Sequence, residues 1–273
     1  MRSGAPKSTV IVTPVYRSKL TEIEHALLSR TGEASEHPRV FVIPEGLDAG
    51  EIRERHPQAH VEATSAENLT SVRHYNLWLT SPNFYSMWSD FEWILISQLD
   101  AVLVSDPWEV LADGGPSWDV LGAPWNPPVR VVTIGDRILV RSPSGQDRGP
   151  GWVGVVGRQL QVGNGGLSLR RRAAFQAAAT ALESKTSRAT RQHTNEDVLW
   201  AAFGPQHGVA SAAPRLAGEV FWETIDPGNV TPEKVPVAAG YHGIDRWPAA
   251  TREHVLHQMN HAPSDPVRND QQQ

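Results

Sequence analysis

The 273-residue sequence contains no cysteine and no long apolar run. The absence of cysteine excludes disulfide bonds, thiolate metal ligands and cysteine nucleophiles, and it is compatible with a reducing compartment. No segment approaches the ~18 uninterrupted apolar residues of a membrane-spanning helix, and the N-terminal MRSGAPKS lacks the apolar core of a signal peptide. The sequence therefore predicts a cytoplasmic protein without a membrane span.

Clusters of basic residues are also missing. The formal net charge is -5 at pH 7, and no stripe of Lys and Arg is visible. Because affinity for the phosphate backbone comes from clustered basic side chains, this composition excludes a general nucleic-acid binder. The sequence is instead rich in tryptophan, with ten residues. Aromatic rings of this kind suit both a protein core and the faces of sugars.

Alternating apolar runs and helical patterns predict an α/β fold. A helix-spaced segment at residues 17–29 separates the first two of three β-branched runs, which are STVIVTPVY (8–16), RVFVIPE (39–45) and WILISQL (93–99). Such runs are typical of buried parallel strands. Strands and helices in this order predict a mostly parallel, Rossmann-like sheet flanked by helices.

An insertion interrupts this pattern at about residues 128–161. Within it, VRVVTIGDRILVRS has two alternating runs around a Gly-Asp turn, which predicts a β-hairpin. Apart from the insertion, residues 8–259 contain no convincing linker and are predicted to form one domain. The polar, proline-containing residues 260–273 predict a disordered tail.

Asp100 directly follows the most apolar run, in SQLDAVLVSD. Ligands of parallel α/β sheets bind at the carboxyl ends of strands, so this carboxylate lies where a ligand would be. One interpretation is an ordinary turn, which aspartate favours. The other is a ligand of Mg²⁺ or Mn²⁺, which take one or two protein carboxylates and complete their shell with phosphate oxygens and water.

The stretch GYHGIDRW contains two further candidates. His242 is either an ordinary loop histidine or an imidazole ligand for an ion such as Mn²⁺. Arg246 is either a surface charge or a group that neutralises a diphosphate.

The run QVGNGGLSLRRR places three glycines around Asn164. It matches neither a Walker loop nor a dinucleotide-binding fingerprint. A flexible turn is one interpretation, because glycine permits positive φ. The other is a loop at which a ligand approaches the backbone of Gly165 and Gly166, with Asn164 hydrogen-bonding a hydroxyl group.

The stretch NEDVLW begins a predicted helix. Asn195 is a candidate N-cap, and acidic residues in the first turn suit the helix dipole. Alternatively, one of the carboxylates points into a cleft and serves as a general base.

Taken in order, these stretches resemble glycosyltransferases of the GT-A fold. More narrowly, the sequence resembles a bacterial family with this series of motifs, which here are YNLWL, QLDA, GAPW, VGNGGLSLR, NED and YHG. The similarity runs from about residue 8 to residue 247. It implies an enzyme that moves a sugar from a nucleotide-sugar donor, with UDP-sugar favoured, to a hydroxyl of a glycan or small-molecule acceptor.

The resemblance also implies residue roles. Asp100 aligns with the last acid of the metal-binding D-x-D motif, and His242 with a histidine that completes the coordination of Mn²⁺ or Mg²⁺. Asp197 would be the general base, with Glu196 beside it binding the acceptor or substituting for it. Such a base predicts inversion at the anomeric carbon, although the sequence leaves retention open.

The resemblance also implies which residues contact the donor nucleotide and which line the pocket for sugar and acceptor. The nucleotide side is expected to include Thr13, Tyr16, Arg17, Arg73, Asn76, Gln98 and Arg246. The pocket for sugar and acceptor is expected to include Trp125, Asn164, Gly165 and Gly166.

The sequence departs from the GT-A pattern at Gln98, which stands where D-x-D has its first acid. This replacement favours weak metal affinity, or an ion held mainly by the diphosphate. It also favours an alternative function, a non-catalytic module that binds a nucleotide-sugar or glycan. A two-metal phosphohydrolase is disfavoured because carboxylate and histidine clusters are scarce in the sequence.

Overall fold

A computed structural model describes residues 8–111, 116–125, 129–134, 137–141, 158–161, 163–224 and 226–258. Its strands are β1 (Thr9–Pro14), β2 (Arg39–Pro44), β3 (His60–Thr64), β4 (Trp93–Ser97), β5 (Val102–Leu103), β6 (Val120–Pro124), β7 (Val129–Ile134), β8 (Arg137–Arg141), β9 (Arg158–Leu160), β10 (Gly163–Arg171), β11 (Phe221–Trp222) and β12 (Gly240–Tyr241). Its helices are α1 (Glu22–Ala34), α2 (Gly50–Arg55), α3 (Val72–Leu79), α4 (Pro82–Ser86), α5 (Pro107–Val110), α6 (Arg172–Lys185), α7 (Arg188–His193), α8 (Glu196–Phe203), α9 (Pro214–Val220) and α10 (Ala249–Gln258).

The central sheet has the strand order β3-β2-β1-β4-β10-β6. Strands β1, β2, β3 and β4 pair in parallel, whereas β10 pairs antiparallel with both β4 and β6. Every residue of β1 and β4 is buried, as expected for strands covered on both faces. The predicted fold class, an α/β protein with a mostly parallel sheet flanked by helices, is confirmed.

Alternate residues of the central strands build two apolar layers. Val10 and Ile94 belong to a cluster formed with residues of α3, α4, α6 and α8 on one face of the sheet. Ile11 and Leu95 belong to a second cluster on the other face, formed with residues of α5 and α9. This follows from the two-residue period of a strand, which sends neighbouring side chains to opposite faces.

The first helix begins later than the sequence pattern indicates. It starts at Glu22 because Thr21 and Glu24 form a capping box, in which the Thr21 hydroxyl accepts from the Glu24 N–H and the Glu24 carboxylate accepts from the Thr21 N–H at 2.8 Å. The predicted helix at residues 17–29 is therefore wrong at its start. Tyr16 and Arg17 consequently lie in the connection that follows β1.

The predicted hairpin of the insertion is confirmed by the antiparallel pairing of β7 with β8. Strand β9 pairs on the other side of β7 to complete a small sheet. The Gly-Asp turn at residues 135–136, the segment 142–157 and the predicted tail at 260–273 lie outside the described residues. The single domain over residues 8–259 stays a prediction.

A second small sheet, with the order β11-β12-β5, positions the C-terminal part of the site. Strand β12 pairs in parallel with β11 and antiparallel with β5. The residues that follow β11 and β12 are thereby brought beside the segment between β4 and β5. None of the described helices has the length and apolar character needed to cross a membrane.

Candidate active site

Polar side chains converge where β4 ends and β10 begins. Gln98 and Asp100 follow β4, and the Gln98 N–H donates to the Gly166 carbonyl at 2.8 Å. Because β10 runs antiparallel to β4, the first residues of β10 lie at the same edge of the sheet as the last residues of β4. Asn164 and Asp100 therefore share one edge of the sheet, as the strand-end argument predicts for ligand-binding residues.

His242 lies at the centre of this cluster and is buried, with 9% of its side chain exposed. Its Nε2 atom is 3.3 Å from Oδ1 of Asp100 and 3.4 Å from Oε1 of Gln98, and its Nδ1 atom is 3.0 Å from Oε1 of Glu223. Burial opposes protonation of the ring, but hydrogen bonds to Asp100 and Glu223 outweigh it and raise the pKa of His242 to about 9. Burial likewise opposes ionisation of Asp100, yet contact with His242 leaves the pKa of Asp100 below its usual value.

Two oxygen atoms lie near His242 Nε2 at distances that neighbouring ligands of one cation also have. Asp100 Oδ1 and Gln98 Oε1 lie 3.3 and 3.4 Å from His242 Nε2, whereas neighbouring ligands of an octahedral ion at about 2.1 Å are separated by roughly 3 Å. The two oxygen atoms suit Mn²⁺ or Mg²⁺, and the imidazole is able to join them as a ligand once Nε2 has lost its proton. No group of three or more His, Asp and Glu side chains with metal-binding geometry is found in the described part of the chain. The amide of Gln98 would thus be the third ligand.

Glu223 also belongs to the cluster, although no motif or spacing in the sequence singles it out. It follows β11 and contacts His242 through Oε1, while Oε2 accepts a 2.7 Å hydrogen bond from Nδ2 of Asn164. Only the pairing of the two-residue strands β11 and β12 brings it there, and strands this short leave no periodic signal.

The glycine-rich run is a strand and not a flexible turn. Gly163, Gly165 and Gly166 lie in β10, and none of them is among the described glycines with positive φ. A methyl group at Gly165 would overlap the carboxylate of Glu196, and one at Gly166 would overlap the ring of His242. The expectation of a loop is therefore wrong. These glycines make room for site side chains against the backbone.

Glu196 is engaged with Arg170, a residue outside the cluster. Its buried carboxylate forms a 2.8 Å ion pair with Arg170, whose guanidinium also donates to the Tyr85 hydroxyl at 3.2 Å. The amide oxygen of Asn76, also buried, accepts from the Glu196 N–H at 3.3 Å. Asn76 and Arg170 thus hold Glu196 at the start of α8, and the site roles expected of Asn76 and Glu196 stay predictions.

Asp197 lies in the first turn of α8 and is partly buried. Burial and the neighbouring charge of Glu196 raise the pKa of Asp197 to about 7, although its Oδ1 accepts from the Val198 N–H at 2.8 Å. Asn195 occupies the N-cap position, but its side chain makes no capping hydrogen bond, so the capping interpretation is wrong in its detail. A carboxyl group that titrates near neutrality suits general acid or base chemistry.

Two cavities border the cluster. The strand-end cavity has a volume of about 640 Å³, within the usual range for ligand pockets, and its lining includes Pro14, Tyr16, Arg17, Tyr75, Gln98 and Asp100. The α8 cavity is smaller, about 190 Å³, and its lining includes Gly122, Pro124, Asn164, Asp197, Trp200 and Ser211. Asp100 and Asp197 thus line different cavities.

Four other residues expected at the site lie as follows. Thr13 is buried within β1, and Arg73 is exposed on α3 outside the lining of the strand-end cavity. Trp125 follows β6 and packs partly buried against the core. The Arg246 side chain is half exposed, and its guanidinium is 3.9 Å from Oε1 of Glu223.

Arg17 and Tyr16 form the outer wall of the strand-end cavity. Arg17 pairs with Glu24 of the capping box and donates to the Tyr16 hydroxyl at 2.7 Å. Tyr16 is 54% exposed, and the Arg17 guanidinium lies over its ring, 4.9 Å from the centroid.

Solved structures share this fold at low sequence identity. A galactosyltransferase, LgtC, in complex with donor and acceptor sugar analogues is 12% identical with a TM-score of 0.52, over 93% of this chain and 98% of that one. The inositol-1-phosphate CTP transferase from T. maritima is 10% identical with a TM-score of 0.50, over 93% and 97%. Mouse xyloside xylosyltransferase 1 is 12% identical with a TM-score of 0.50, over 87% and 98%.

These similarities show the fold, which is that of GT-A glycosyltransferases and related nucleotidyltransferases. A comparison with curated proteins gave no match. A family model matches residues 58–235, a span that contains Asp100, Asp197 and Glu223 and ends before His242. By this match, which covers more than half of its length, the chain belongs to the family described as Protein of unknown function (DUF5672).

Proposed function

We propose that this protein is a glycosyltransferase that moves a sugar from a nucleotide-sugar donor to an acceptor hydroxyl. The observation that carries the proposal is the pairing of two sites: Asp100, Gln98 and His242 form a cation-type donor set beside one cavity, and Asp197 lines the other. The fold supports it, because it is shared with a galactosyltransferase solved with donor and acceptor sugar analogues.

The strand-end cavity would take the nucleotide diphosphate. Asp100, His242 and Gln98 would hold Mn²⁺ or Mg²⁺, and such an ion neutralises negative charge on a leaving diphosphate. Tyr16 offers an exposed aromatic ring at the rim for a base or ribose. UDP-sugar is the favoured donor, and a basic group near the cluster, Arg246, adds positive charge beside the diphosphate.

The α8 cavity would take the acceptor. Above pH 7 the Asp197 carboxylate is ionised and accepts the proton of the acceptor hydroxyl. The hydroxyl oxygen then bonds to the anomeric carbon while the bond from that carbon to the diphosphate oxygen breaks. With attack opposite the leaving group, the anomeric configuration inverts.

A second candidate function is a module that binds a nucleotide-sugar or glycan without turnover. It is favoured by the neutral Gln98 at the position of the first D-x-D acid. The lack of a three-membered His, Asp and Glu cluster among the described residues favours it as well.

An assay of nucleotide release from the donor distinguishes the glycosyltransferase from the binding module. The protein is incubated with UDP-, GDP- and dTDP-sugars, with and without Mn²⁺, while donor binding is measured in parallel. Transfer or hydrolysis that is lost in Asp197→Asn, with donor affinity retained, supports the enzyme. The matched control is Asp90→Asn, the same change on an exposed residue. Donor binding without release from any sugar would instead establish the binding module.

A further inference from the structure

Glu223 contacts His242 of the polar cluster with one carboxylate oxygen and Asn164 of the α8 cavity with the other. One carboxylate oxygen is 3.0 Å from Nδ1 of His242, whose Nε2 faces Asp100. The other accepts a 2.7 Å hydrogen bond from Asn164, which lines the α8 cavity. Only 15% of the Glu223 side chain is exposed, so water competes little for these contacts.

We propose that Glu223 is a positioning residue whose two oxygens hold the ring of His242 and the amide of Asn164 at the same time, and so align the cation side of the site with the acceptor side. This inference rests on the proposed function for its consequence in catalysis. The hydrogen-bond arrangement itself is measurable on the protein without any sugar.

The orientation of the Asn164 amide is set by its other contacts. Its Oδ1 atom accepts from the backbone N–H groups of Gly166 at 2.6 Å and of Leu167 at 3.1 Å. Only Nδ2, which is a donor, is therefore directed to Glu223. An ionised carboxylate accepts and does not donate, so it suits this partner.

The orientation of the His242 ring follows from the same rule. Because Nδ1 faces a carboxylate oxygen of Glu223, Nδ1 carries a hydrogen. Nε2 is then the nitrogen that faces Asp100 and Gln98 and is able to bind a cation. The backbone keeps the two residues adjacent, since the His242 N–H donates to the Trp222 carbonyl at 3.1 Å. Carboxylates behind a ligating histidine fix its tautomer in this way.

The arrangement requires two acceptors at position 223. In Glu223→Gln, the amide presents one acceptor and one donor, so either orientation directs an N–H group at another N–H group. In Asn164→Asp, two carboxylates face each other and repel. When both changes are combined, the new amide donates to the new carboxylate and its oxygen accepts from His242 Nδ1. The double variant therefore restores every hydrogen bond with the same total charge.

The test measures Mn²⁺ affinity of the full chain, without nucleotide, by electron paramagnetic resonance. Each single variant is expected to bind Mn²⁺ about 10- to 100-fold more weakly than the wild type. The double variant is expected to recover to within about threefold, since neighbouring residues that share hydrogen bonds are not additive. The positioning role would be overturned if the losses of Mn²⁺ affinity in the two single variants simply added in the double variant. It would also be overturned if both single variants bound Mn²⁺ as tightly as the wild type.

A second measurement needs no metal. The Nδ1 proton of His242 should give a slowly exchanging downfield resonance, assigned by its loss in His242→Gln. It should shift in Asn164→Asp, because repulsion between the two carboxylates moves Glu223 relative to the ring, and it should return to its wild-type position in the double variant. A wild-type ring without a hydrogen on Nδ1 refutes the inference directly, even if Glu223→Gln does not fold. Failure of the proposed function has a different signature, in which nucleotide release is absent while this resonance and its recovery are present.

Discussion

Asp197→Asn is expected to stabilise the protein at high pH. Asp197 has a raised pKa in the folded protein, about 7 against its usual 3.8, because it is partly buried and lies beside the charge of Glu196. A carboxyl group with a raised folded pKa contributes stability that is complete below pH 3.8 and is lost as the pH rises through 7. Asparagine carries no charge, so the variant avoids this loss. Its amide oxygen is still able to accept from the Val198 N–H.

The size of the effect follows from the two pKa values. At about 1.4 kcal/mol per pH unit, the difference between 3.8 and about 7 sets a ceiling of about 4 kcal/mol. Because Asp197 is only partly buried, solvent screens the charge, and we expect a gain of about 1–2 kcal/mol at pH 9. The gain should shrink steadily between pH 7 and pH 4.

Urea unfolding at pH 5, 7 and 9 measures this difference directly. Asp90→Asn is the control, because it makes the same chemical change at an exposed position and should give almost no pH-dependent difference. If Asp197→Asn were no more stable than the wild type at pH 9, or if its gain were the same at all three pH values, Asp197 would not be electrostatically strained. Its assignment as a base that titrates near neutrality would then have to be withdrawn.

Three further substitutions test other parts of the site. Gly165→Ala forces a methyl group into the carboxylate of Glu196 and should cost about 1–3 kcal/mol in urea unfolding, whereas Gly228→Ala, in open space, should change little. Arg170→Met leaves the Glu196 carboxylate buried without its partner and should lower the free energy of unfolding by about 3–5 kcal/mol. A decrease below about 1 kcal/mol would show that the ion pair is dispensable. Asp100→Ala should weaken Mn²⁺-dependent donor binding in calorimetry, and unchanged affinity would locate the ion elsewhere.

The strands of the central sheet were predictable because each carries its own signal. Val10 and Ile94 belong to continuous apolar runs, and such runs occur where a strand is covered on both faces. The position of Asp100 at the end of such a run was enough to select it as a ligand candidate. The late start of α1 could also have been predicted from the sequence, because Thr21 and Glu24 have the spacing of a capping box.

The parts that were missed depend on contacts distant in sequence. The propensity of Gly165 and Gly166 alone favours a turn. These residues form a strand instead because β10 pairs with β4. The side chains of Glu196 and His242 fill the space that a Cβ atom would occupy at the two glycines. Glu223 could not be selected because its role exists only after two short strands pair. The capping role expected of Asn195 is not used, since α8 is supported from Asn76 instead.

The small sheet of β5, β11 and β12 has a consequence for the order in which the site assembles. It delivers His242 to a residue 144 positions earlier in the chain, Gln98, so the cluster is closed by one of the least local contacts of the protein. Closing a long loop costs chain entropy before any contact compensates for it, which makes such a step slow. A central sheet that forms before this contact would lack His242 at the proposed cation site. Binding competence would appear only at the last docking event, and refolding followed in the presence of Mn²⁺ should show it as a separate, later phase.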